Sequence, residues 1–351
     1  MVRVVSGSAI VLVALAFGGG RAIDADEINV VVSIKPVHSL VAGVMEGVGA
    51  PDLLVRGTGS EHSYSLRPSQ ARILDRAGIV FWVGETMETF LVKPLQALAG
   101  DAEIVELWQA PGLTLLPTRE GGMWEPHEHG DGHADAEEHE GEHADEHEDE
   151  HAEEHDEGES AHADADHAAV EDHAHGETDM HVWLDPANAQ ALVAAIATAL
   201  ADADPQNAST YQANGARLQE QLGELDRSLE SRLASVADRP YVVFHDAYQY
   251  FEHRYGVRAV GAITINPTVR PSAQRMREIH ERLEHLDAAC VFAEPQFEPA
   301  LVDTLIEGTS ANKGVLDPLG ADLDAGPDQY FRLMSNLAAA LADCLGPSKP
   351  D

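Results

Sequence analysis

Positive charge is scarce in this sequence. Its 22 Lys and Arg stand against 61 Asp and Glu, a formal net charge of −39, and no Lys or Arg lies between Arg119 and Arg217. That balance excludes nucleic acid as a partner, because phosphates would be repelled, and it suits a cationic ligand. Long apolar runs are missing too. The run Ala9–Phe17 behind Arg3 falls short of the about 20 residues that span a bilayer as a helix. It reads as part of a secretory signal over residues 1–25, with cleavage expected within Ala22–Ala25. No later stretch is apolar enough for a transmembrane helix, and no Cys follows the run, so no lipid anchor is expected there. The mature protein is expected to be exported and soluble. Cysteine is reduced to Cys290 and Cys344. In an oxidising compartment the default is one disulfide between them, tying a C-terminal helix to an interior strand.

A chain of 351 residues is about twice the usual domain size, which predicts two domains. Short apolar or β-branched runs occupy Ile28–Ile34, Asp52–Val55, Ile79–Val83 and Glu103–Leu107, with helical patterns after Pro36 through Met45 and over Leu66–Ala77. Strands apolar on both faces and separated by helices indicate a parallel sheet covered on both sides. The rhythm returns in Tyr241–His245, Arg258–Thr264, Ala289–Ala293 and Lys313–Leu316, interleaved with helical segments up to a terminal one near Asp328–Cys344. Between the halves, Leu218, Leu222, Leu225, Leu229 and Leu233 recur at helical spacing. The expected fold class is α/β: two similar lobes, each a mostly parallel four-stranded sheet flanked by helices, joined by one long rigid α-helix. The expected divisions are an N-terminal lobe over 26–204, the connecting helix over 205–237 and a C-terminal lobe over 238–351. A helix of thirty or so residues would reach about 45 Å, enough to cross both lobes.

From Trp124 to Asp179 the composition changes to His, Glu, Asp, Ala and Gly, which cannot bury a core and reads as a disordered surface loop inserted in the first lobe. Twelve of the 19 histidines lie between His127 and His175, and 24 acidic residues between Glu125 and Asp179. His139, His143, His147, His151 and His155 recur every four residues, a spacing at which neighbouring imidazoles can share a divalent ion. Weak, multiple and pH-sensitive metal binding is expected of this segment. Two H-E-x-x-H matches, His139–His143 and His147–His151, have no apolar flank to shape a buried protease site, and follow from low complexity.

An ordered site is expected among isolated histidines. His62 follows the second strand, His181 precedes Trp183 by two positions, and His245 closes the strand Tyr241–Phe244. In α/β sheets ligands gather beyond the carboxyl ends of strands, where His62 and His245 fall, one per lobe. Asp246, Glu294 and Asp185 are candidates to accept the second ring N–H of a ligand histidine. His38, His253, His280 and His285 are assigned to structure or solvent. Three imidazoles with an open fourth position also describe a catalytic zinc, but no accompanying base with a substrate pocket is recognisable.

The segments Gly59-Ser-Glu-His-Ser-Tyr-Ser-Leu-Arg-Pro-Ser69, Met180-His-Val-Trp-Leu-Asp-Pro186, Val243-Phe-His-Asp-Ala-Tyr248, Cys290-Val-Phe-Ala-Glu-Pro-Gln-Phe297 and Leu316-Asp-Pro-Leu-Gly320 resemble the metal-binding segments of ZnuA-type zinc-uptake proteins. The resemblance runs over essentially the whole mature chain. It implies a periplasmic, non-enzymatic solute-binding protein, expected as a monomer, that takes Zn²⁺ in an inter-lobe cleft and docks on an ABC permease. It also implies His62, His181 and His245 as ligands. The fourth position stays open between Asp317, which matches a carboxylate of related manganese-binding members and is slightly favoured as a cleft residue, Glu61 and water. Glu61 stands where the family often has Pro, and Ser63 where it has an acidic residue. Imidazole-rich ligation suits zinc, whereas manganese sites usually carry more carboxylate.

Overall fold

The computed structural model describes residues 28–119 and 178–346 apart from 265, 266, 268–270, 287 and 299. The expected signal segment and His139, His143, His147, His151 and His155 lie outside these residues. Four parallel strands form the first sheet: β1 (Val30–Val32), β2 (Asp52–Leu53), β3 (Ile79–Trp82) and β4 (Glu103–Glu106), in the order β2-β1-β3-β4. The second sheet holds β5 (Tyr241–His245), β6 (Ala259–Thr264), β7 (Cys290–Ala293) and β8 (Asn312–Val315), parallel and in the order β6-β5-β7-β8. The two orders are the same topology read twice, so the α/β expectation of two similar lobes is met.

Helices cover both faces. The first lobe has α1 (Lys35–Val44), α2 (Pro68–Leu74) and α3 (Thr89–Leu98). Next come α4 (Pro186–Ala203) and the long α5 (Ala208–Leu233). The second lobe has α6 (Gln249–Tyr255), α7 (Ala273–Leu286), α8 (Ala300–Ile306) and α9 (Gln329–Leu345). Prolines near the first position of α1, α2 and α4 cost no hydrogen bond there, because those N–H groups have no intrahelical partner.

Strand alternation sends residues to two kinds of core. Val31, Val80 and Trp82 pack against Leu74, Leu91 and Leu95 of α2 and α3, while Val242, Phe244 and Val291 pack against Ile279, Leu283 and Val302 of α7 and α8. The opposite faces, through Val30, Val32, Phe81, Tyr241, Val243 and Phe292, join one continuous core with α1, α4, α5 and α9. The lobes therefore share their inner core. Helix α5 contacts α1 of the first lobe and α6 and α9 of the second, and its 26 residues extend about 39 Å. It also lies along α4, where Gly215 lets the backbones close: a Cβ there would sit 3.0 Å from that of Ala197. Cys290 and Cys344 form a disulfide between the start of β7 and the end of α9.

Two helices were not picked out from sequence. Helix α3 carries Pro94 in its interior, a residue that normally argues against a helix. Helix α4 is Ala-rich and buried over much of its circumference, so its polar face is too narrow to show as periodicity.

Candidate metal centre

The site forms where the carboxyl ends of both sheets face each other. Glu61 and His62 lie in the loop between β2 and α2. Gly57, at a φ of +66°, supplies a left-handed turn there that favours glycine. The Ser60 hydroxyl accepts the His62 N–H at 3.2 Å. Gln70 ties the loop down, donating to the Leu54 carbonyl and to the Tyr64 hydroxyl at 2.9 Å. His181 precedes a 3-10 turn, Val182–Leu184, and His245 is the last residue of β5.

One nitrogen or oxygen from each of Glu61, His62, His181 and His245 falls within 4.8 Å of the others. The three imidazole rings form a near-equilateral triangle, with centroids 5.4–5.6 Å apart. The Nε2 atoms of His181 and His245 are 3.4 Å apart. The Glu61 Oε1 lies 3.8 Å from His62 Nε2 and 3.9 Å from His181 Nε2. Asp179 holds His181 Nδ1 at 2.7 Å, and Glu294 holds His245 Nδ1 at 2.7 and 2.8 Å. A carboxylate only accepts, so each Nδ1 carries a proton directed at its carboxylate, and each ring presents Nε2 to its neighbour. The Nε2 of His62 and the Oε1 of Glu61 are buried without a hydrogen-bond partner. Buried polar atoms are nearly always paired, so this pair marks a place for a ligand.

Electrostatics divide the four. Burial, with His245 and His181 alongside, pushes His62 well below the usual imidazole value. Burial also pulls His245 down, but Glu294 outweighs it and the net shift is upward. Burial raises Glu61, and the neighbouring histidines only partly oppose it.

Asp317 is not in this cluster. Its Oδ1 accepts from the Gln296 amide at 2.8 Å and from the Leu319 and Gly320 amides at 3.1 and 2.9 Å, and its Oδ2 accepts from Ala321 at 2.5 Å. It builds the turn after β8, whose amides already occupy it. The carboxylate brought to the histidines is Glu61, the alternative that sequence reasoning ranked second. Of the three proposed second-sphere carboxylates, Glu294 does hold a ring. Asp185 instead caps α4 through the Ala187 amide at 2.8 Å, and Asp246 pairs with Arg119. Asp179 was missed because it was counted into the acidic insert; the Asp-x-His spacing with His181 was its only signal. Glu88 was also missed. It is fully buried, takes the Val83 and Gly84 amides at 2.7 and 3.1 Å, and burial lifts its pKa to about 7. Two further histidines among the described residues have partners elsewhere: His38 is bonded to the Pro51 carbonyl and His280 to that of Leu305.

The model of the family described as "Zinc-uptake complex component A periplasmic", ZnuA, matches residues 30–344. The chain belongs to the ZnuA family. The high-affinity zinc uptake system protein ZnuA of Brucella abortus (strain 2308) is 49% identical over 326 residues, covering 93% of this chain and 94% of that one. Its counterpart in Yersinia pestis is 37% identical over 316 residues, covering 90% and 91%. A solved structure described as the crystal structure of ZnuA superposes with a TM-score of 0.68 at 21% identity, over 92% of this chain and all of that one. The solute-binding protein FpvC of Pseudomonas aeruginosa, solved with Mn²⁺, reaches 0.69 at 16%. The fold alone therefore does not choose the metal. Family membership makes the chain a periplasmic component of zinc uptake, a transport binding protein and not an enzyme. Among the described residues no helix is long and apolar enough to cross a membrane.

Proposed function

We propose that this chain captures one Zn²⁺ between Glu61, His62, His181 and His245 in the inter-lobe crevice and delivers it, as a monomer, to the permease of an ABC transporter. One observation carries the reading: two imidazoles with their Nδ1 protons held on carboxylates face two buried ligand atoms that have no other partner. A tetrahedral ion at about 2.0–2.1 Å from its ligands sets those ligands about 3.3–3.4 Å apart, which the His181–His245 separation of 3.4 Å matches. Three neutral nitrogens and one carboxylate favour zinc over manganese, and zinc uptake is the role named for the relatives.

Export by residues 1–25 brings the protein to its metal. The histidines of the insert act as weak additional sites that concentrate cations near the crevice. Asp179 is counted with the site and not with the insert, because its carboxylate lies 2.7 Å from His181 Nδ1. Removing residues 124–177 lowers the number of zinc ions bound and leaves one tight site; removing Asp179 as well weakens that site.

The test is competitive titration with Zn²⁺ and Mn²⁺ of the wild type and of His62→Ala, His181→Ala and His245→Ala. Zinc preferred by the wild type and lost from each variant supports the site. Unaltered affinity in all three variants defeats it. Delivery is tested by zinc uptake into vesicles carrying the permease, with loaded wild-type protein as donor.

A further inference from the structure

The stem of the histidine-rich insert is gripped by the second lobe. Its two chain segments, 116–119 and 178–179, are joined by an antiparallel bridge between Pro117 and Thr178 and by the Asp179 N–H to the Leu116 carbonyl at 2.9 Å. Helix α6 holds both. Gln249 donates to the Pro117 carbonyl at 2.7 Å, and the Tyr250 hydroxyl accepts the Leu116 N–H at 3.1 Å while donating to the Asp179 carbonyl at 2.5 Å. Arg119 closes the clamp. Its Nε lies 3.0 Å from one Asp246 oxygen, a terminal nitrogen meets the other, and its second terminal nitrogen lies 2.7 Å from Glu252. Glu252 is buried and Asp246 largely so, with side chains 5% and 9% exposed, and Glu252 also accepts the Ala259 amide at 3.2 Å.

This clamp is continuous with the metal centre. Asp246 directly follows His245. On the stem, Asp179 holds the His181 ring, and its other oxygen is 3.5 Å from the Gln249 amide. Beyond it, Trp183 donates to the Pro318 carbonyl at 2.9 Å and its own carbonyl accepts the Tyr330 hydroxyl at 2.7 Å, both in the second lobe. His181 thus precedes the connecting helix in sequence, yet its segment is tied to the lobe that carries His245.

We propose that Arg119 is a positioning residue for the metal site: its fork across Asp246 and Glu252 fastens the insert stem to the second lobe, and so fixes Asp179 and the His181 ring in register with His245. The proposal rests on the reading of His181 and His245 as ligands. A planar guanidinium can bond two carboxylates at once, which the point charge of lysine does not reproduce.

The test uses the full chain in two forms, Arg119→Lys and the triple variant Arg119→Met/Asp246→Asn/Glu252→Gln. The triple variant removes the buried charges together, so that no carboxylate is left unpaired. Nitrogen-resolved NMR of the imidazole N–H protons and the rate of zinc release to a chelator are measured for both. The expected result is loss of the His181 Nδ1 proton signal, persistence of the His245 signal held by Glu294, and zinc release faster by about tenfold, the lower end of the range for second-sphere changes. Unchanged His181 signal and release rate overturn the proposal, and so does simultaneous loss of both ring signals, which marks general loosening. His181→Ala separates the two readings. Wild-type zinc affinity in that variant means the site assignment has failed; loss of affinity there, beside unaltered Arg119 variants, means that only the clamp has.

Discussion

The two halves of the candidate metal centre are built differently. His181 and His245 each have Nδ1 on a buried carboxylate, which sets tautomer and ring orientation before any ion arrives. Glu61 and His62 stand on a loop that starts from a left-handed glycine, and their facing atoms have no hydrogen-bond partner. The protonation tendencies divide as well. His62 resists a proton, while His245, beside Glu294, keeps one above the usual imidazole range. On the proposed reading, one half presents two oriented imidazoles, and the other would add a third imidazole and a carboxylate to a cation's shell. Preorganisation in one half limits the ordering cost of capture to the other.

The largest effect should come from breaking the preformed half. His245→Ala removes a proposed ligand and should cost more than about 100-fold in zinc affinity by chelator competition, beyond the usual range for an outer partner. Glu294→Ala leaves the ring but frees its orientation, and should cost about 10- to 100-fold. A loss in Glu294→Ala equal to that in His245→Ala would erase the distinction between holding a ligand and being one. In the second half, Glu61→Gln keeps the shape and removes the charge. Its effect should be smaller than that of His245→Ala but larger than that of Asp317→Asn, whose carboxylate builds a turn. A reversal of that order would place the fourth ligand on Asp317.

Falling pH opposes zinc binding but strengthens the contribution of Glu88 to metal-free stability. At the proposed site, falling pH should set protons in competition with zinc, first at His245, whose pKa is raised. Glu88 acts the other way on stability. Between 4.5 and about 7 the folded protein holds a proton on it that the unfolded chain has released, so its contribution is present at low pH and lost as pH rises through that window. Urea unfolding of metal-free Glu88→Gln across this range should therefore show a flatter pH dependence than the wild type. Identical slopes would mean that Glu88 is not held protonated.

The smallest effect on zinc should come from the disulfide. Cys290 opens β7 and pairs with Tyr241 at the start of β5, the opposite end from His245. Replacing both cysteines by serine should lower stability by up to about 4 kcal/mol for a sequence separation of 54 and leave zinc affinity nearly unmoved. A matching loss of affinity would show that the whole sheet transmits to the site.

The eight strands among the described residues were readable because parallel strands buried on both faces are short, continuous apolar runs. The long helix was readable from five leucines at helical spacing, four of which, Leu218, Leu222, Leu229 and Leu233, are buried in the shared core. The isolated histidines stood out against the low-complexity insert. Asp179 did not, since in one dimension it is the last of many acidic residues. Glu88 did not stand out either, because burial does not show in a single polar residue.

By itself the sequence determined the two parallel sheets and the long helix, and it singled out three histidines that the fold brings together, because periodicity and motifs are local properties of the chain. It also displayed the acidic, histidine-rich insert as its most conspicuous feature. Only the tertiary structure decided that Glu61 rather than Asp317 faces those histidines, and that Asp179 and Glu294 hold two of the rings. It alone decided that His181 is tied to the second lobe through Trp183, Tyr250 and the stem clamp. Apart from Asp179, which lies two residues from His181, these are contacts across tens to hundreds of residues, where orientation of an N–H or a lone pair, not residue type, selects the partner. Spacing along the chain carries no trace of that orientation.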